Sequence, residues 1–198
     1  MDNAVPPVLL PGTTLPLPPG AGENLFGVLE PVFAVSPGGL LLSQVCEMTG
    51  LGPATIQNWV KRGWVSNPVG KRYGELHVAR ILLLNLLRPA MQLEKIAALL
   101  RYINGSVDDR SDDIIPETRL YNLLATALLR LQRQPLDRES VIALIDQLLE
   151  GYEGPAPDAP SRLRNALIIM LLGTAAAGLM QEAETLFVRH VQPGTRPA

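Results

Sequence analysis

The chain has 198 residues, of which 47% are hydrophobic and 18% charged, with a net charge of −2 and a single Cys. That is enough apolar material for a sizeable core in one or two domains, and it excludes a disordered chain or one stapled by internal disulfides. Aromatic residues make up 5%, so no stacking platform for single-stranded nucleic acid is evident.

Residues 1–22 carry Pro6, Pro7, Pro11, Pro16, Pro18 and Pro19 among small and apolar residues, which predicts a Pro-rich disordered or extended arm. The arm lacks the basic start and continuous apolar stretch of a secretory signal, so the expected location is cytoplasmic. Asn24–Val35 follows as a short helix, interrupted at Pro31 and docking on the next segment.

Leu42–Tyr73 carries the most specific pattern in the chain. In a first short helix Leu42, Val45 and Met48 recur at helical spacing, and Gly50 suits its left-handed end. Pro53 fits the first turn of a second helix, where its missing N–H goes unused. There Ile56, Trp59 and Val60 share a core-facing side, whereas Ala54, Gln57, Asn58 and Lys61 share the opposite one. A small residue followed by amides and a cation suits a major groove: Ala54 permits close approach, and Gln or Asn bonds an adenine edge bidentately. A Pro/Gly turn then ends in Lys71-Arg72-Tyr73, with Trp64 and Tyr73 expected at the base of this hairpin. The order is that of a winged helix-turn-helix.

Charge distribution agrees. Between Leu40 and Gly105 eight basic residues stand against three acidic ones, a net of +5, in a chain that is acidic on both sides of this segment. The candidate DNA contacts are Thr55, Gln57 and Asn58 in the second helix, with Lys61, Arg62, Lys71 and Arg72 toward phosphates.

Leu42–Leu100 resembles the DNA-binding head of MerR-type regulators. The likeness lies in Val45–Leu51, in Thr55–Trp59, in Arg62–Trp64, in Arg72-Tyr73, in the helix Glu75–Leu87 and in Leu93–Ile96. Within that superfamily it is most similar to an uncharacterised bacterial family, a domain of unknown function. Ile56-Gln57-Asn58-Trp59-Val60-Lys61, Lys71-Arg72-Tyr73 and His77-Val78-Ala79 carry that likeness, which extends as far as Tyr121. Two departures stand out. Gln57 occupies a position where many MerR-type heads have Arg. No long heptad helix follows Leu100 of the kind that joins MerR dimers, so a dimer would form differently.

Asp108, Asp109, Asp112 and Asp113 form an acidic loop. An EF-hand numbered from Asp108 would place Asp113 where Gly is needed and Arg119 where the bidentate Glu belongs, so calcium is rejected. Helical periodicity then covers Glu117–Gln132, and Arg138–Glu150 behind the N-cap Asp137. A Gly/Pro-rich break at Gly151–Pro160 leads to a last helix, Ser161–His190. Its stretch Ala166–Met180 is uncharged but shorter than the roughly 20 residues of a membrane span, and Arg162, Arg164, Glu182 and Glu184 bracket it. A fully buried central helix or a dimer interface is expected there, with no membrane role.

The fold class expected is all-α: a MerR-like winged helix-turn-helix with a small two-stranded wing, followed by a helical C-terminal domain. The divisions are an arm (1–22), a DNA-binding domain (23–105), an acidic linker (106–116) and a helical dimerisation or effector domain (117–190). His77 and His190 lie far apart, Cys46 reads as a buried small hydrophobe, and no nucleotide-binding, metalloprotease or serine-hydrolase motif occurs, so no catalytic residue, metal or cofactor is assigned. The expected function is sequence-specific double-stranded DNA binding by a transcriptional regulator. Its partners would be duplex DNA, a second copy joined through the C-terminal helices, and a small organic effector held among the helices past Glu117. The alternative is a non-enzymatic protein-interaction module that uses the winged helix as scaffold and the apolar last helix as its partner surface.

Overall fold

A computed structural model describes residues 7–132 and 135–192 of the chain. The expected arm residues 1–6, with Pro6, and two residues inside the expected domain 117–190 lie outside the described residues. The elements run β1 (Leu40–Leu41), α2 (Leu42–Thr49), α3 (Pro53–Lys61), β2 (Arg72–Tyr73), α4 (Glu75–Leu87), α5 (Leu93–Asn104), α6 (Glu117–Leu131), α7 (Arg138–Leu148) and α8 (Ala159–Val191). A 3₁₀ turn at Phe26–Leu29 and the short α1 (Glu30–Ala34) precede them. The molecule is mostly helical, with one antiparallel two-stranded sheet that pairs Leu40 with Tyr73 and Leu41 with Arg72.

The helix α4 is central because its sequence is apolar nearly all round: every residue from Val78 to Leu84 is buried. A single continuous core gathers residues of α2 to α8 around it. The expected division at 106–116 is therefore a division of chain and not of core. The acidic segment is itself pinned at its far end. Asn104 donates to the Ile115 carbonyl at 2.7 Å and accepts from the Ile114 and Ile115 N–H groups at 3.2 and 3.3 Å. Ile114 and Ile115 are buried behind it.

One polar contact crosses the core. Arg80 of α4 is buried, donates from Nε to the Trp64 carbonyl at 3.0 Å, and pairs through Nη1 with Glu117 Oε1 at 2.5 Å. Glu117 opens α6, so this pair ties that helix to the segment after α3. The other carboxylate oxygen, Oε2, is buried without a hydrogen-bond partner.

Three expectations need correction. Of the two readings of the Pro-rich arm, disordered or extended, the first does not hold for its described part, which packs on the helices. Leu9 bridges Pro16, Leu10 is fully buried, and Pro11 O accepts from the Tyr121 hydroxyl at 2.7 Å. The end of α2 explains the docking. Its terminal carbonyls have no partner within the helix, and Thr14 and Asn85 supply donors to Glu47, Met48 and Thr49. Pro31 does not interrupt a helix but lies in the first turn of α1, which carries on from the 3₁₀ turn. That segment docks chiefly on α6, where Phe26 N–H donates to Asn122 at 2.7 Å and the Phe26 ring meets Tyr121 edge-on.

The third correction concerns α8, which is not buried along its length. Leu163, Ala166, Leu167, Met170 and Leu171 are fully buried, but no described residue beyond Leu171 is. By length and composition alone α8 could cross a membrane, with a mean hydropathy of 1.6 over its best window. Its first half is instead built into the core shared with α4, α5, α6 and α7.

The Arg80–Glu117 pair yields a stability prediction. Glu117→Ala leaves the Arg80 charge buried and unpaired, so urea denaturation should show a loss of about 3–5 kcal/mol. A loss below about 1 kcal/mol would mean that the pair does not hold α6 to α4.

Candidate nucleic-acid interface

The geometry of α2 and α3 follows from their ends. Gly50 ends α2 at φ +70°, and Pro53 opens α3 after only Leu51 and Gly52. Ile56 and Trp59 are buried under α3, as their spacing requires. The opposite side, Ala54, Gln57, Asn58 and Lys61, is exposed along the roughly 13 Å length of a nine-residue helix. Thr55 lies one step round from this face and is half-buried.

The turn before β2 is a two-residue hairpin. Val69 and Arg72 exchange both backbone hydrogen bonds, at 3.1 and 2.9 Å, around Gly70 and Lys71. Both central residues have positive φ, 57° and 63°, as a type I′ turn requires. Lys71 is the single non-Gly residue with positive φ among those described. Its side chain is exposed at the tip, and with Gln57, Leu42, Val60, Pro68 and Tyr73 it lines a concavity of about 420 Å³ between α3 and the hairpin.

The four expected phosphate contacts separate in the structure. Lys61 and Lys71 are exposed and form no ion pair among the described residues. Arg62 pairs with Glu94 of α5 at 3.1 Å and lies over the Trp64 ring, 5.0 Å from its centroid. Both side chains of that pair are more than half exposed, so water screens it and Arg62 stays within reach of solvent. Arg72 is half-buried and donates to the Gly39 carbonyl at 2.9 Å, which secures the chain entering β1. It therefore corrects the reading of Arg72 as an outward phosphate cation, because its guanidinium serves the hairpin.

Sequence reading also passed over the clamp beneath the hairpin. His77 Nδ1 accepts from Gly74 N–H at 3.2 Å, which leaves the proton on Nε2, 3.1 Å from the Asn67 carbonyl. One ring thus fixes both the loop before the hairpin and the start of α4. The signal was the His two residues past Glu75, in a position to cap the helix. Trp64 and Tyr73 are buried at the base, as expected. Cys46 is half-buried against the core, and burial pushes its thiol above the ordinary range, away from the thiolate form.

Residues 40–124 match the family model of a domain of unknown function, DUF1836. Over 91 residues the chain is 34% identical to the uncharacterized protein YkrK of Bacillus subtilis (strain 168). That similarity spans 44% of this chain and 39% of the relative's length. No solved structure matches the chain. The family match begins at β1 and ends within α6, so it contains α2, α3, the hairpin, and both Arg80 and Glu117.

The positive φ at Lys71 is testable without any ligand. Gly removes the roughly 1–2 kcal/mol that an L residue pays there and costs a similar amount in the unfolded chain, so Lys71→Gly should leave the melting temperature nearly unchanged. Lys71→Val should lower it by about 2–4 °C per kcal/mol lost. Equal melting temperatures for all three proteins would contradict the I′ assignment.

Proposed function

We propose that this chain binds double-stranded DNA in a sequence-specific way, as a transcriptional regulator whose head is a MerR-like winged helix-turn-helix. In this reading α3 enters the major groove through Ala54, Gln57, Asn58 and Lys61, and the hairpin at Gly70-Lys71 is the wing that follows the backbone. One observation carries the proposal. Gln57 on the outward face of α3 and the exposed Lys71 border a common concavity, within the single basic segment of an acidic chain. An amide and a small residue can meet base edges there, while Lys61 and Lys71 meet phosphates on either side. Arg62 adds a third contact once its screened pair with Glu94 is exchanged for a phosphate. Thr55, half-buried on the flank, would contribute at the edge of the groove.

Fluorescence anisotropy with a labelled duplex, over a salt series, tests the electrostatic part. Log affinity should fall linearly with log salt, and Lys61→Ala and Lys71→Gly should each flatten the slope by about one unit. Arg72→Ala should leave the slope unchanged in the fraction that stays folded. Binding that is absent or independent of salt would reject the reading.

Base recognition has a separate readout. In selection from a randomised duplex library, Gln57→Ala should relax preference at one position of the enriched site by about 1–3 kcal/mol. An equal loss of affinity for every sequence would mean that Gln57 reads no base.

A further inference from the structure

The turn between α2 and α3 leaves the last carbonyls of α2 without their ordinary partners. In a continuing helix Glu47 and Met48 would receive the N–H groups of Leu51 and Gly52. The chain leaves the helix at the left-handed Gly50 instead, and Leu51 N–H donates to Thr49 Oγ1 at 3.3 Å. The Thr49 carbonyl would receive residue 53, which is Pro and has no N–H. The local sequence that sets α3 against α2 therefore needs donors from elsewhere in the chain.

Those donors come from the arm and from α4. Thr14 N–H donates to the Met48 carbonyl at 2.8 Å, and the Thr14 hydroxyl donates to Glu47 O at 2.9 Å, with Met48 O also in reach at 3.2 Å. Asn85 of α4 uses its side-chain amide twice, on the Thr49 carbonyl at 3.0 Å and on the Gly12 carbonyl at 2.9 Å. The arm is shaped for this place. Leu17 N–H to Val8 O and Leu10 N–H to Leu15 O, at 2.7 and 2.9 Å, close it into a turn of its own. Leu10 is its buried anchor, and Tyr121 holds the Pro11 carbonyl. Gly12 lies so near α4 that a Cβ there would stand 2.9 Å from the Leu82 carbonyl oxygen. The arm residues precede the segment that matches the family model, which begins at residue 40.

We propose that residues 8–17 are a clasp that sets the angle between α2 and α3, with Thr14 and Asn85 as its positioning residues. Closed, the clasp satisfies the end of α2 in a single arrangement and fixes where the outward face of α3 points. Open, the Glu47 and Met48 carbonyls turn to water, and the turn at Gly50-Leu51-Gly52 is free to take other angles. Affinity for a duplex then scales with the fraction of molecules whose clasp is closed. That consequence rests on the DNA-binding reading, whereas the clasp itself does not.

Leu10→Asp with Thr14→Val in the full chain should open the clasp. Native-state hydrogen exchange without DNA should then show the amides of Gly50, Thr55 and Ile56 exchanging about tenfold faster, with those of α7 and the first half of α8 unchanged. Anisotropy with a labelled duplex should show affinity lowered about tenfold, which corresponds to a clasp closed in about a tenth of the molecules. The salt slope should stay the same, because no phosphate contact is lost. Thr14→Val alone alters only an exposed side chain and should move both readouts the same way by roughly threefold, while Thr14→Ser keeps both donors and should match the wild type. Faster exchange spread evenly over α4 to α8 would mean a general loss of stability and overturn the proposal. So would wild-type exchange at Gly50, Thr55 and Ile56, or wild-type duplex affinity in the opened chain. A wild-type chain that binds no duplex would reject the DNA-binding reading alone, since the exchange pattern decides the clasp without it.

Discussion

Arg80 has its guanidinium inside the protein, shared between the carbonyl of Trp64 and the carboxylate of Glu117. Desolvating such a charge costs several kcal/mol unless its partners are in place, and the partners come from elements far apart in the chain. Trp64 follows α3, Glu117 opens α6, and Arg80 lies between them on α4. The charge is satisfied in only one arrangement of the three. This is why α6 cannot be treated as the start of an independent unit beyond an acidic linker. The segment similar to the family model runs on into α6 and so holds both Arg80 and its carboxylate.

With that frame fixed, the cations around α3 divide by chemistry. Two of the planar, multidentate guanidiniums are used inside the fold, Arg80 in the core and Arg72 on the Gly39 carbonyl, while Arg62 lies half exposed between Glu94 and the Trp64 ring. The outward charges are ammonium groups, Lys61 on α3 and Lys71 on the hairpin. Arg gives geometric fixity through several donors, whereas Lys is a hydrated point charge on a flexible stem. In the proposed DNA-binding function Arg72 and Arg80 shape the surface, and Lys61 and Lys71, joined by Arg62, meet a backbone whose phosphates need charge more than fixed angles.

Local signals in the sequence were legible where a single element decides them. The apolar spacing of Val45, Met48, Ile56 and Trp59, the caps at Gly50 and Asp137, and Pro53 at a helix start place their helices within a residue or two. The outward face of α3 follows from that same spacing. What the sequence hid depends on tertiary partners. Nothing local distinguishes Arg72, spent on a backbone carbonyl, from Lys71 beside it, exposed at a turn tip. Prolines in the arm read as a disordered or extended segment, because the carbonyls and Leu10 it presents meet helices that begin many residues later. In α8 an uncharged run suggests either burial throughout or a dimer interface. Only the position where the helix leaves the core shows that full burial stops at Leu171.

The central claim, that the outward face of α3 and the hairpin tip together form the DNA-binding surface, is tested most directly by amide chemical-shift mapping. A ¹⁵N-labelled chain would be titrated with an enriched duplex from a library selection. The account predicts shifts concentrated at Ala54, Gln57, Asn58, Lys61, Gly70 and Lys71, with the buried face of α3 and the first half of α8 little changed. Shifts centred instead on α8 or on the arm, with α3 and the hairpin silent, would contradict it.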